Sequence, residues 1–146
     1  MKLLNLLSFS AILMTSVGFS QSNNPLYLDA NQPVEVRLDD LMSRMTLEEK
    51  VYQMNQFVGL DHMREAEKNL SVEDLHSNDA QGFYKGLFSD DVAQMTKEGK
   101  IGSFLHVLTT EEANLLQELA FQSRLKIPIL IGIDAIHGNA LVSGTT

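Results

Sequence analysis

The chain has 146 residues, is 44% hydrophobic and contains neither cysteine nor tryptophan. This composition is that of a globular protein, and the absence of thiols excludes disulfides, zinc–thiolate sites and cysteine nucleophiles. The formal net charge is −8 without any basic cluster, so neither nucleic acid nor an anionic membrane surface is the expected partner.

The first twenty residues, "MKLLNLLSFSAILMTSVGFS", differ in character from the rest. Lys2 precedes an apolar stretch, and the small residues Gly18 and Ser20 occupy positions −3 and −1 of a cleavage point after Ser20. This order is typical of a secretory signal peptide. Serine, threonine and asparagine dilute the apolar run, which is short for a transmembrane helix. We therefore predict a signal peptide over 1–20, export to the periplasm or the medium, and no stable membrane insertion.

Residues 21–33 are rich in Asn, Pro and Ser, which predicts an extended leader. Apolar residues at helical spacing begin at residue 34 and indicate a first amphipathic helix. Thr46 and Glu49 form a capping-box pattern, which predicts that a second helix starts at Thr46 and continues through "TLEEKVYQMNQF". Its expected apolar face consists of Leu47, Val51, Met54 and Phe57.

Residues 58–99 show no clean period, and we expect loops with short helical pieces there. Within this region "SDDVAQMTKEG" is the best helical candidate. Ser89 is its expected N-cap, and Gly99 its expected stop.

A strand, a helix and a second strand follow in "KIGSFLHVL", "TTEEANLLQELAFQSRL" and "KIPILIGID". Thr109 and Glu112 give the helix a second capping-box pattern. This order predicts a βαβ unit with a parallel strand pair. Because parallel strands are normally covered on both faces, the unbroken apolar run Ile127–Ile133 is expected to be buried.

The second predicted strand ends in the polar residues Asp134 and His137. Parallel α/β folds place their chemistry at the C-terminal ends of strands. Asp134 and His137 could ligate a metal, although two ligands do not complete a site. The glycine-rich nucleotide motifs and G-x-S-x-G are absent. Asp134 could equally cap a turn beside a core histidine at 137. His106 lies near the end of the first predicted strand, where it could face the same cavity as Asp134 or be a half-buried strand histidine.

"GIDAIHG" at 132–138, together with "RLKIPIL" before it and "VSGTT" after it, resembles family 3 glycoside hydrolases, the β-glucosidase group. "LMSRMTLEEKVYQM" and "GKIGSFL" resemble the opening helices and first barrel strand of the same family. The resemblance implies an α/β fold in which residues 34–146 are the N-terminal part of a (β/α)8 barrel domain. Such a barrel needs about 250 residues, so we expect it to be incomplete in this chain.

The resemblance also implies retaining hydrolysis of β-linked glucosides or oligosaccharides from the non-reducing end. Asp134 matches the aspartate that binds sugar hydroxyls in the −1 subsite. The family's nucleophile and acid/base lie further downstream, so no catalytic residue, cofactor or metal ligand is assigned, and the chain alone is expected to be inactive. The expected partner is a β-glucoside or β-glucan oligosaccharide. The alternative is a non-catalytic exported carbohydrate-binding module that uses Asp134 without chemistry.

Overall fold

Residues 25–71, 73, 84–135 and 138 are described by a computed structural model. The predicted signal peptide therefore lies outside the described residues. The chain divides into two compact units, residues 1–41 and 42–146. No helix in the described ranges is long and apolar enough to cross a membrane.

The described part of the first unit contains a 3-10 turn at Leu26–Leu28 and most of helix α1, Val34–Arg44. The backbone of Tyr27 ties the turn to this helix. Its amide donates a hydrogen bond to Asp40 (3.1 Å), and its carbonyl accepts one from Arg37 Nε (3.0 Å). The segment predicted as an extended leader thus includes one ordered turn.

Helix α2, Leu47–Tyr52, begins at the predicted capping box. The Thr46 hydroxyl accepts from the Glu49 amide (3.2 Å), and the Glu49 carboxylate accepts from the Thr46 amide (2.9 Å). Because both reciprocal bonds form, two N–H groups that the helix leaves unpaired are satisfied. The predicted break between α1 and α2 at Thr46 is confirmed.

The predicted continuation of α2 to Phe57 is wrong. The helix ends at Tyr52, and Gln56–Val58 form strand β1. Met54, expected on the buried face, is 76% exposed, whereas Phe57 is buried from within the strand. Phe57 reaches the core because it belongs to the sheet and not to the helix.

Strands β1 (Gln56–Val58), β2 (Ser103–Leu105) and β3 (Leu130–Gly132) form a parallel sheet in the order β1-β2-β3. Phe57 pairs with Phe104, and Phe104 with Ile131. The predicted βαβ unit and the α/β class are confirmed. The predicted barrel is not shown, because the described residues contain only these three strands.

Three helices share one hydrophobic core with the sheet: α3, Leu60–Asn69; α4, Ser89–Lys97; and α5, Thr110–Ala120. The ten-residue helix α3 corrects the expectation of loops and short helical pieces after residue 58. The core combines residues of the sheet and these helices with neighbouring loop residues: Phe57, Leu60, Met63, Val92, Ile101, Phe104, Val107, Leu116, Leu119, Ala120 and Ile129.

The start of α4 differs from its prediction. Phe88 is the N-cap, and Ser89 lies buried within the first turn. Its amide and its hydroxyl both donate to the carboxylate of Glu67 in α3, the hydroxyl at 2.9 Å. Ser89 is therefore a donor to a neighbouring helix. The predicted stop is confirmed: Gly99 has φ 73°, and the amides of Gly99 and Lys100 close a Schellman motif on Thr96 and Met95.

Strand β3 is less buried than its sequence predicts. Ile129 is buried, but Leu130 is 74% exposed and Ile131 is also exposed. In register, Leu130 lies beside Ser103 on the face opposite the buried Phe104. The expectation that Ile127–Ile133 is buried is therefore wrong for Leu130 and Ile131. Leu130 lies on the face away from Phe104, and Ile131, which pairs with Phe104, is still 41% exposed.

Gly102 is required by a close approach of backbone to backbone. The Asn55 carbonyl accepts from the amides of Gly102 (3.1 Å) and Ser103 (3.2 Å). A Cβ atom at residue 102 would lie 2.1 Å from the carbonyl oxygen of Gln53. No side-chain movement could relieve that clash.

We predict that Gly102→Ala lowers the free energy of unfolding by about 3 kcal/mol, because the backbone must move to admit the methyl group. Gly132→Ala is the matched control, since its Cβ would make ordinary contact at 3.4 Å with Leu105. Denaturant unfolding of both variants in the intact gene product checks the prediction. Equal stabilities would contradict the close approach.

Candidate functional site

The C-terminal ends of the three strands meet at one edge of the sheet. The Gly59 amide, just past β1, donates to the Leu105 carbonyl at 2.8 Å. The His106 amide, just past β2, donates to the Gly132 carbonyl at 3.0 Å. These bonds extend the ladder beyond the strands and hold the following residues close together.

Asp134 lies at this edge, two residues after β3. Its side chain is 49% exposed, so the carboxylate is available to solvent or a ligand. His106 Nε2 lies 3.5 Å from Asp134 Oδ2, and the imidazole is 37% exposed. Of the two interpretations of His106, the structure favours the one that places it at the same site as Asp134.

The backbone of His106 is unusual. Its φ is 60°, in the left-handed region that residues other than glycine seldom adopt. Such a conformation persists where the surroundings enforce it, and it is frequent at functional sites. Here the surroundings include the bond from the His106 amide to Gly132.

A buried carboxylate supports the same edge. Glu112 of α5 is only 5% exposed, and its Oε1 accepts the Asp61 amide at 2.9 Å, in the first turn of α3. Half of its predicted capping box forms, because the Thr109 hydroxyl accepts from the Glu112 amide (3.1 Å). The carboxylate, however, caps α3 and not its own helix. The sequence does not reveal this role, because the local pattern is that of an ordinary capping box.

Burial raises the pKa of Glu112 above its ordinary value of 4.5, and the charge of Asp61 adds to the increase. Hydrogen bonds from the Asp61 and Leu60 amides oppose the increase. The carboxylate is thus desolvated, yet it sits at the positive end of a helix, where negative charge is favoured. Because the pKa is raised overall, the contribution of Glu112 to stability depends on pH.

His137 lies outside the described residues, and with it the alternative in which His137 and Asp134 ligate a metal. The described residues contain no group of three or more side chains that could hold a metal ion. Gly138 has a positive φ of 101°, whereas Gly132 is not among the positive-φ glycines. A cleft at the opposite, N-terminal end of the strands is lined by Gln53, Ile101 and Ile129 among others.

Over 123 residues, 84% of its length, the chain is 32% identical to the probable β-glucosidase C of Aspergillus oryzae. It is 26% identical over 122 residues to the periplasmic β-glucosidase of Salmonella typhimurium, and 46% identical over 37 residues to the β-glucosidase BoGH3A of Bacteroides ovatus. The matched regions cover 18%, 12% and 5% of these proteins, so the chain spans less than a fifth of their length. No protein-family model matches the chain. The similarities confirm the resemblance to family 3 β-glucosidases.

We predict that Glu112→Gln alters the pH dependence of stability. Because the folded-state pKa is raised, wild type should lose stability relative to this variant as pH rises above the ordinary value of 4.5. Melting temperatures of both proteins at pH 4, 6 and 8 check the direction. A constant difference across this range would contradict a buried, desolvated carboxylate. Glu112→Ala, which leaves the α3 amides unpaired, should cost about 1–3 kcal/mol at every pH.

Proposed function

We propose that the chain supplies part of the sugar-binding site of an exported glycoside hydrolase that cleaves β-linked glucosides from the non-reducing end with retention. The observation that carries this proposal is the accessible carboxylate of Asp134 at the C-terminal edge of a parallel sheet. The similarity to β-glucosidases of fungi and bacteria supports it.

The chemistry of Asp134 suits a sugar. A carboxylate accepts hydrogen bonds from two hydroxyls, and charge-assisted bonds of this kind are stronger than neutral ones. Their directions orient the sugar ring for attack at the anomeric carbon. Asp134 is accordingly assigned to substrate binding in the −1 subsite.

The three strands are proposed as the opening strands of a (β/α)8 barrel. Parallel sheets normally have both faces covered, whereas Leu130 exposes 74% of its surface on the face opposite the helices. In a barrel this face points inward and is filled by side chains of other strands. The exposure of Leu130 supports that placement.

Retaining hydrolysis requires two carboxyl groups about 5 Å apart, one as nucleophile and one as acid/base. Asp134 takes neither role in this proposal. We therefore assign no catalytic residue within the 146 residues, and the β-glucoside or β-glucan oligosaccharide substrate is contacted here through Asp134.

In the intact gene product, we predict that Asp134→Ala lowers kcat/KM on an aryl β-glucoside by roughly two to four orders of magnitude. Each lost charge-assisted bond is worth about 1.5–3 kcal/mol, and bonds that strengthen in the transition state reduce kcat/KM. Asp134→Asn keeps the shape of the side chain without its charge, so its kcat/KM should fall no further than that of Asp134→Ala. Steady-state kinetics and melting temperatures of both variants give the measurement.

Asp29→Ala is the control, because the partly exposed Asp29 carboxylate accepts hydrogen bonds within its own turn, from the Asn31 amide at 3.0 Å and from Gln32. It should lower stability slightly and leave kcat/KM unchanged. If Asp134→Ala behaved in the same way, Asp134 would be a capping residue. Binding of glucose without any turnover by wild type would favour the non-catalytic binding module instead.

We also predict export with cleavage between Ser20 and Gln21, from the order of basic, apolar and small residues in the first twenty positions. Edman sequencing of the protein secreted by its native host should begin at Gln21. Material retained inside the cell with Met1 still present would refute the export assignment.

A further inference from the structure

We infer that His106 is a positioning residue for Asp134: its imidazole holds one carboxylate oxygen and leaves the other free for a sugar hydroxyl. This inference rests on the proposed function of Asp134. Its basis is the distance of 3.5 Å between His106 Nε2 and Asp134 Oδ2, two side chains that are both partly exposed at the edge of the sheet.

The left-handed backbone of His106 brings the two side chains together. Leu105 pairs in register with Gly132, so their side-chain positions lie on the same face of the sheet. Strand alternation continued for one more residue would send the His106 side chain to the opposite face. The φ of 60° interrupts this alternation. The imidazole can therefore approach Asp134, which follows Gly132 by two residues.

The surroundings enforce this conformation from two sides. The His106 amide is bound to the Gly132 carbonyl at 3.0 Å. The His106 carbonyl oxygen lies 3.0 Å from the position that a Cβ atom would take at Gly59, an approach that glycine permits. Backbone strain fixed in this way is typical of residues whose side chain has a set task at a site.

The contact has a defined chemical consequence. A separation of 3.5 Å is longer than an ordinary N–H···O bond, and bonds in unliganded sites commonly shorten when substrate binds. With the proton on Nε2, His106 donates to Oδ2 and restricts rotation of the carboxylate. Oδ1 then presents its lone pairs to the sugar in one orientation, which reduces the ordering required on binding.

The test uses His106→Gly in the intact gene product, because glycine adopts a positive φ without strain. The variant should keep or raise the melting temperature, while kcat/KM on an aryl β-glucoside falls about tenfold to a hundredfold. Lys126→Gly is the matched control. Lys126 has φ 53° and precedes β3 at the other end of the sheet, so the same backbone change there should leave kcat/KM unaltered.

Two further variants separate positioning from a structural role. His106→Gln, whose amide nitrogen can donate over a similar reach, should recover most of the lost kcat/KM. In the Asp134→Ala background, His106→Gly should cost less than threefold, because the group it positions is gone. Full additivity of the two substitutions, failure of His106→Gln to recover activity, or wild-type kcat/KM for His106→Gly would each overturn the inference.

The outcomes for the two assignments are distinguishable. If Asp134→Ala is impaired while His106→Gly retains full kcat/KM, the role of His106 fails and the proposed function stands. If Asp134→Ala is fully active, or if wild type shows no turnover, the proposed function fails and the inference about His106 fails with it.

Discussion

The carboxylate of Glu112 fixes the edge of the sheet at which Asp134 lies. Glu112 belongs to α5, which follows β2, yet it caps α3, which follows β1. One side chain therefore joins two successive strand–helix units. Glycine at position 59 makes this possible, because a Cβ atom on that residue would lie only 2.8 Å from the Glu112 carboxylate. A displacement of α5 would leave both a buried charge and the first amides of α3 unpaired, which is costly for each group.

On another side of α5, Gln117 fixes the backbone just before β3. The amide side chain of Gln117 donates to the Ile129 carbonyl at 2.8 Å and accepts from the Ile129 amide at 3.0 Å. It thus satisfies both backbone groups of Ile129, as a neighbouring strand would. Glu112 and Gln117 lie on one helix, so α5 supports the strand ends near Asp134 and also the start of the strand that leads to it. The position of Asp134 depends on these two polar contacts as well as on the apolar core.

Local signals in the sequence predict the structure correctly. The capping box at Thr46 and the glycine stop at Gly99 need only a few adjacent residues, and both form as predicted. Features that depend on residues distant in the chain are predicted wrongly. Strand β1 has three residues, too few for a period of two to show, and its apolar residues also fit the end of a helix. Ser89 and Glu112 matched local caps, but each bonds to a different helix, because a partner supplied by the fold displaced the local one.

The same distinction between local and tertiary signals applies to the candidate site. Asp134 is predicted as a site residue from its place at the end of an apolar run and from the resemblance, both of which are properties of the sequence. Its contact with His106 could be raised only as one of two alternatives, because regular alternation places the two side chains on opposite faces. The contact arises from a backbone angle that the residue type does not specify, since histidine is only moderately tolerant of positive φ. What sets that angle is the pairing of the His106 amide with Gly132 and the space left by Gly59. The geometry around the Asp134 carboxylate therefore arises only when the strands assemble, and it cannot be predicted from the residue type of His106 alone.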